Sequence, residues 1–212
     1  DPSLAKKHFF KALEINPEYA IAYYELAHHS ENNGDINEAK IHFQKATDVD
    51  QNYVDAYFNL ARILTSPSEH DQAVRNYETA LEINPEMADC HYWFAKLLTT
   101  GERLSNDGTL LKEPKIDDAK KHFTRAIDID PKFAKAYYRL GLLLYHNKDY
   151  SNALHNLEKA ITLDPTFSKA HYSLAVLLMD KNAKELVQKG TQAEKKKKTR
   201  SVRKKTSGKE SS

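Results

Sequence analysis

The stretch YYELAHHSENNGDINEAKIHFQKA (residues 23–46) is followed by YFNLARILTSPSEHDQAVRNYETA (residues 57–80), and the two align without a gap. Tyr23, Leu26, Ala27, Ala39, Phe43 and Ala46 fall over Tyr57, Leu60, Ala61, Ala73, Tyr77 and Ala80, a displacement of 34 residues from Tyr23 to Tyr57. A fixed period of this size points to stacked helical units rather than one closed core. Within each period apolar residues recur at three- and four-residue spacing in two blocks, so each unit reads as two amphipathic helices. Alanine at the crossing points lets the helices approach closely, and the aromatic one turn later fills the space beside it. Pro85, Pro131 and Pro165 follow the second block, where proline stops a helix and turns the chain into the next unit.

The period continues toward the C-terminus. His91, Phe94, Ala95 and Leu98 with Ala119, Phe123, Ala126 and Pro131 form a third unit, and Tyr137, Leu140, Gly141, Leu144, Ala153, Leu157 and Pro165 a fourth. On these residues the chain resembles the tetratricopeptide repeat family, whose pattern is W-x2-L-G-x2-Y…A-x3-F…P. An aromatic residue or His stands in place of the family's Trp, Ala mostly replaces its Gly, and Gln51 occupies a position where Pro is expected. The resemblance covers roughly residues 2–179. It implies an all-α fold, a right-handed superhelical solenoid of antiparallel helix pairs. Residues 1–17, with Ala5, Phe9, Ala12 and Pro17, read as the second half of a repeat. Residues 18–180 read as four full repeats plus a fifth first helix with Tyr172, Leu174, Ala175 and Leu178. Residues 181–188 read as a weak capping helix, and 189–212 as a disordered basic tail. An opening second helix and the lack of an initiator Met lead us to expect a piece of a longer chain.

Composition narrows the classes of function. The single Cys, Cys90, excludes an internal disulfide and fits a reducing compartment. No apolar run approaches the roughly 20 residues of a membrane span, and no signal peptide opens the chain; the expected location is intracellular, cytoplasmic, with nuclear or ciliary variants. The net charge of +2 conceals an asymmetry: residues 189–212 hold ten Lys or Arg against Glu194 and Glu210, leaving 22 basic and 28 acidic residues elsewhere. From Lys195 to Ser212 there is one apolar residue, Val202, and no aromatic, so the tail lacks the surface to fold alone. Lys195, Lys196, Lys197, Lys198, Arg200, Arg203, Lys204 and Lys205 suit nuclear import or a polyanion such as nucleic acid, acidic tubulin tails or anionic lipid. Without rings to stack on bases, contact with nucleic acid would be through phosphate and would fall with salt.

The resemblance implies a protein-binding scaffold or adaptor whose concave face, lined by the first helix of each pair, holds a partner segment. One column of that face is aromatic throughout: Tyr24, Phe58, Tyr92, Tyr138 and Tyr172. Lys132, Lys135, Arg139, Tyr145 and Lys169 gather in the later repeats, whereas Glu25, Asp55 and Asp89 sit earlier. An acidic peptide segment is therefore expected at the later repeats, with Arg139 offering bidentate geometry to a carboxylate. The clamp that grips heat-shock chaperone tails needs Lys and Asn, then Asn, then Lys and Arg in successive first helices. Repeats two to four supply Phe58 and Arg62, then Trp93, then Lys135 and Arg139, so only the last pair fits and such a tail is not the expected partner.

The third repeat is twelve residues too long, Ala88 to Ala134 spanning 46 rather than 34, with the excess around residues 101–115. Leu104, Leu110 and Leu111 there suit docking on the solenoid or on a partner. No constellation suggests catalysis or a cofactor. The histidines lack a recurring metal spacing, Cys90-His91 is merely an adjacent pair, and the six Gly never cluster as a phosphate loop. Two other readings stay open: a substrate-recruiting arm of a larger enzyme, and an adaptor whose tail is the main binding element.

Overall fold

The computed structural model describes residues 2–100 and 115–180. Among these residues the structure is entirely helical: α1 (Pro2–Ile15), α2 (Ala20–Asn32), α3 (Ile36–Val49), α4 (Val54–Ile63), α5 (His70–Ile83), α6 (Ala88–Leu98), α7 (Ile116–Ile129), α8 (Ala134–His146), α9 (Tyr150–Leu163) and α10 (Ser168–Met179). A 3-10 turn, Pro67–Glu69, precedes α5. The chain divides into two compact units after Ile129. In the first, α1 packs on α2, and the hairpins α2–α3, α4–α5 and α6–α7 follow; in the second, α8 and α9 form a hairpin that α10 packs against. The expected capping helix, the basic tail and nearly all of the insertion lie outside the described residues.

The hairpins close on side chains reduced to a methyl group. Ala39, Ala46, Ala73, Ala80, Ala119, Ala126, Ala153 and Ala160 on the second helices are all at zero exposure. Phe43, Tyr77, Phe123 and Leu157 wedge between them at 2 % exposure or less. The first helices answer with Ala27, Ala61, Ala95 and Gly141. At Gly141 the approach leaves no room for a side chain: an added Cβ would stand 2.9 Å from Leu157 Cγ.

The turns between repeats share one device. Asn16, Asp50, Asn84, Asp130 and Asp164 each accept the backbone N–H two residues on, at 2.9–3.1 Å. This side-chain turn works without proline, so Gln51 is tolerated where the family pattern has Pro. Within hairpins, Gly34 takes a left-handed φ of 82° before the N-cap Asp35. Lys148 does the same at 62° before Asp149, against the preference of a residue with a Cβ. The turn of repeat two is rebuilt instead by a capping box in which Ser66 and Glu69 bond reciprocally. Lys40 joins them at 2.6 Å. Burial pushes the Glu69 carboxyl up, but Lys40 and Ser66 outweigh it and hold the group at about 2.

Repeat three replaces the family's Trp with a histidine pair. His91 Nε2 lies 3.1 Å from the Pro85 carbonyl, which only accepts, so Nε2 carries the proton and Nδ1 is bare. His122 Nδ1, 2.8 Å away, must then be the donor. Burial, and then the neighbouring His91, push His122 down to about 4, and burial lowers His91 as well. Nearby, Cys90 is at zero exposure, and burial, aided by Asp89, raises its thiol to about 12.

Two outcomes are expected. Ala73→Leu and Ala153→Leu each overpack a zero-exposure crossing and should lower stability by roughly 1–3 kcal/mol in thermal unfolding; unchanged melts would contradict the register. Both histidines are depressed below the unfolded value of about 6.5, so the unfolded chain binds more protons over that interval. Stability is then full above pH ~6.5 and falls as pH drops toward 4. His122→Asn, the residue found at Asn76 and Asn156 in the same column, keeps a donor for His91 but does not titrate. Its melting temperature should depend less on pH across this window than that of the parent chain.

Candidate functional site

Seven of the ten expected binding residues belong to the second unit: Lys132, Lys135, Tyr138, Arg139, Tyr145, Lys169 and Tyr172. Lys132 lies in the turn before α8, Lys135 in its first turn and Arg139 one turn later; Lys169 opens α10. Lys132, Lys135 and Lys169 are exposed and Arg139 is half-buried, its guanidinium carbon 5.9 Å from the Tyr138 ring centre. Among the described residues none of the four enters an ion pair. Neither α8 nor α10 has an acidic residue in its first turn, whereas α4 and α6 open on Asp55 and Asp89. A helix N-terminus carries a partial positive charge. Lysines placed there with no carboxylate add to that potential rather than offset it.

The aromatic column serves more than one purpose. Tyr138 is half-buried, with its ring 4.9 Å from Phe167 of the following turn. Tyr145 donates its hydroxyl to Asp180 Oδ2 at 3.2 Å. Tyr172, by contrast, is 73 % exposed and no ring packs on it among the described residues. In the first unit Tyr24 stacks 5.0 Å from Tyr53, and its hydroxyl accepts from Asn59 Nδ2 at 3.2 Å, which ties repeat one to repeat two. Phe58 is half-buried beside Tyr77, and Tyr92 is buried between Trp93 and Phe123. These three rings contribute first to packing.

Several cations of the first unit are matched. Arg62 grips both oxygens of Glu31 at 2.7 and 2.8 Å; Lys6 meets Glu38 at 3.2 Å, and Arg125 meets Glu86. A cleft of about 210 Å³ opens where the turn of repeat two meets α6, lined by Leu64, Pro67, His70, Trp93 and Lys96. Lys96 Nζ sits 4.0 Å from the Trp93 ring centre. Sequence reasoning passed over this cleft; its signals were the capping-box pair Ser66 and Glu69 and the chain's only Trp. Lys195, Lys196, Lys197, Lys198, Arg200, Arg203, Lys204 and Lys205 lie outside the described residues. Among those described, no three His, Cys, Asp or Glu side chains converge to hold a metal. Among the described residues no helix is long and apolar enough to cross a membrane.

Comparison with known proteins adds three findings. Tetratricopeptide repeat profiles match residues 20–53, 54–87 and 134–167. The profile of the family described as regulator of microtubule dynamics protein 1-3 matches residues 71–149. No curated protein matches the chain. Among solved structures, YrrB, described as a TPR protein with an unusual peptide-binding site, is 25% identical; the match covers 81% of this chain and 82% of that one at a TM-score of 0.64. MamA is 20% identical over 85% of this chain and 90% of its own, with a TM-score of 0.66. MamA from Desulfovibrio magneticus RS-1 is 18% identical over 78% and 87%, with a TM-score of 0.64. The repeated columns, the helical hairpins and these matches agree: the chain is a tetratricopeptide-repeat protein.

Proposed function

We propose that the chain is a non-enzymatic scaffold that holds an acidic segment of a partner protein on α8 and α10 of its second unit. The observation that carries this reading is the set of four cations, Lys132, Lys135, Arg139 and Lys169, that have no ion-pair partner among the described residues and gather at two helices with no acid in their first turn. For the fold alone, lysine is a poor choice there, because it adds positive charge to the positive end of the helix dipole. An incoming carboxylate relieves that repulsion and gains both the lysines and the dipole. Arg139, supported on Tyr138, supplies the planar fork that a carboxylate matches. The peptide-binding description of YrrB, at 25% identity, favours a peptide as the ligand class.

A second reading draws on the profile match over residues 71–149 to regulators of microtubule dynamics. On this reading the acidic surface is the tubulin tail, and the basic residues of 189–212 reinforce the contact in the cytoplasm. Binding would then be electrostatic and would weaken steeply as salt rises.

The test is affinity capture from a cell extract with the full chain beside a Lys135→Glu, Arg139→Glu variant, read by mass spectrometry and paired with thermal melts. The variant should lose the specific partners while melting close to the parent, since glutamate at position 135, in the first turn of α8, is favoured there by about 0.3–1 kcal/mol and position 139 is only half-buried. Retention of the same partners by the variant would remove this site. Co-sedimentation with microtubules that is equal in parent and variant, and persists in high salt, would remove the tubulin-tail version.

A further inference from the structure

α8 and α10 touch side by side and carry matching rows of side chains one repeat apart. Lys135, Tyr138 and Leu142 on α8 correspond to Lys169, Tyr172 and Val176 on α10, and the rows end on Tyr145 and Met179. The spacing i, i+3, i+7, i+10 keeps each row on one helix face, as in the seam of a two-helix contact. These are not the residues by which a first helix meets its own hairpin partner. In α8 those are Leu140, Gly141 and Leu144, whose counterparts on α10 are Leu174, Ala175 and Leu178.

The α8 row is held from behind by Phe167 against Tyr138 and by Asp180 on the Tyr145 hydroxyl. The α10 row is open: Tyr172 is 73 %, Val176 37 % and Met179 78 % exposed. The furrow thus changes character from end to end. One end is cationic, at the helix N-termini with Lys135, Arg139 and Lys169; the middle is apolar; the other end closes on Asp180. From Lys169 to Met179 it extends about 15 Å, or some three helical turns.

We propose that this furrow binds an amphipathic helix of a partner protein, with carboxylates at one end and large apolar residues at i, i+3 and i+7. The inference rests on the acidic-segment reading above and adds that the segment is helical and apolar on one side. Charge complementarity sets the acidic end over the cationic end of the furrow. The row rises by 4.5–6 Å per side chain, which a second helix matches turn for turn. An extended strand presents one face only every ~6.8 Å and falls out of step.

The probes are two labelled synthetic peptides of about 14 residues, each opening on a run of glutamates. One carries leucine at i, i+3 and i+7, and the other serine at those places. Binding to the full chain is read by fluorescence anisotropy in low and high salt. The leucine peptide should bind about ten-fold or more tightly than the serine peptide, with the advantage surviving high salt. Tyr172→Ser with Met179→Ser, both at exposed positions, should erase that advantage, while Lys135→Glu with Arg139→Glu weakens both peptides. Equal affinity for the two peptides, or an advantage that survives the serine substitutions, overturns the helix furrow and leaves the charged site standing. If neither peptide binds, or charge reversal changes nothing, the acidic-segment reading falls and this inference with it. A concentration-dependent dimer in sedimentation, dissolved by the serine substitutions, assigns the furrow to a second copy and overturns the proposal.

Discussion

Two helices can lie as close as these do only where a side chain has been cut back to a methyl group or less. That constraint repeats through the structure in alanines that admit no water and in one glycine with no room for a Cβ. It also sets the neighbouring choice. Where the wedge is Phe43, Tyr77 or Phe123, the first helix offers alanine; where the wedge is Leu157, it offers glycine, and Leu157 occupies the space a Cβ would need. Because neighbouring hairpins of the first unit pack on one another through α3 on α4 and α5 on α6, stability there is distributed as nearest-neighbour increments. Side-chain bridges between adjacent repeats, such as Arg62 to Glu31 and Lys40 to Glu69, fasten one increment to another.

The helix pairs were legible because their signal is periodic and local: apolar spacing, alanine columns and a turn residue at a fixed offset. Less legible were interactions joining side chains far apart in sequence. His91 reads as a substitute for Trp, but its role depends on His122, whose column holds Asn in two other repeats and His42 in the first. The turn device at Asn16 and its four counterparts was visible as a recurring Asn or Asp before the proline position, yet it reads as punctuation until the hydrogen bond is seen.

The candidate site divides in the same way. Residue types placed basic side chains on several first helices, and in sequence Arg62 and Lys135 look equivalent. They differ because Glu31, a full repeat away, reaches Arg62 with both oxygens, and no carboxylate among the described residues reaches Lys135. Whether a cation is matched is a property of rotamers and neighbours, which sequence columns do not encode. The aromatic column blurs for a related reason: Tyr24 and Tyr138 share their faces with rings from the next turn, while Tyr172 keeps its own. Places where a fold accepts a locally poor choice, such as lysine at a helix N-terminus, are where function is to be sought.

The buried Cys90 has a practical corollary. A thiol raised to about 12 and closed off from water is almost entirely protonated at neutral pH and out of reach of alkylating reagents. Since the chain has no other cysteine, one introduced on its surface would be the sole reactive handle, with no native residue to remove first. Spin labels, dyes or cross-linkers can therefore be set along any first helix one position at a time, and the protein arrives ready for mapping by distance.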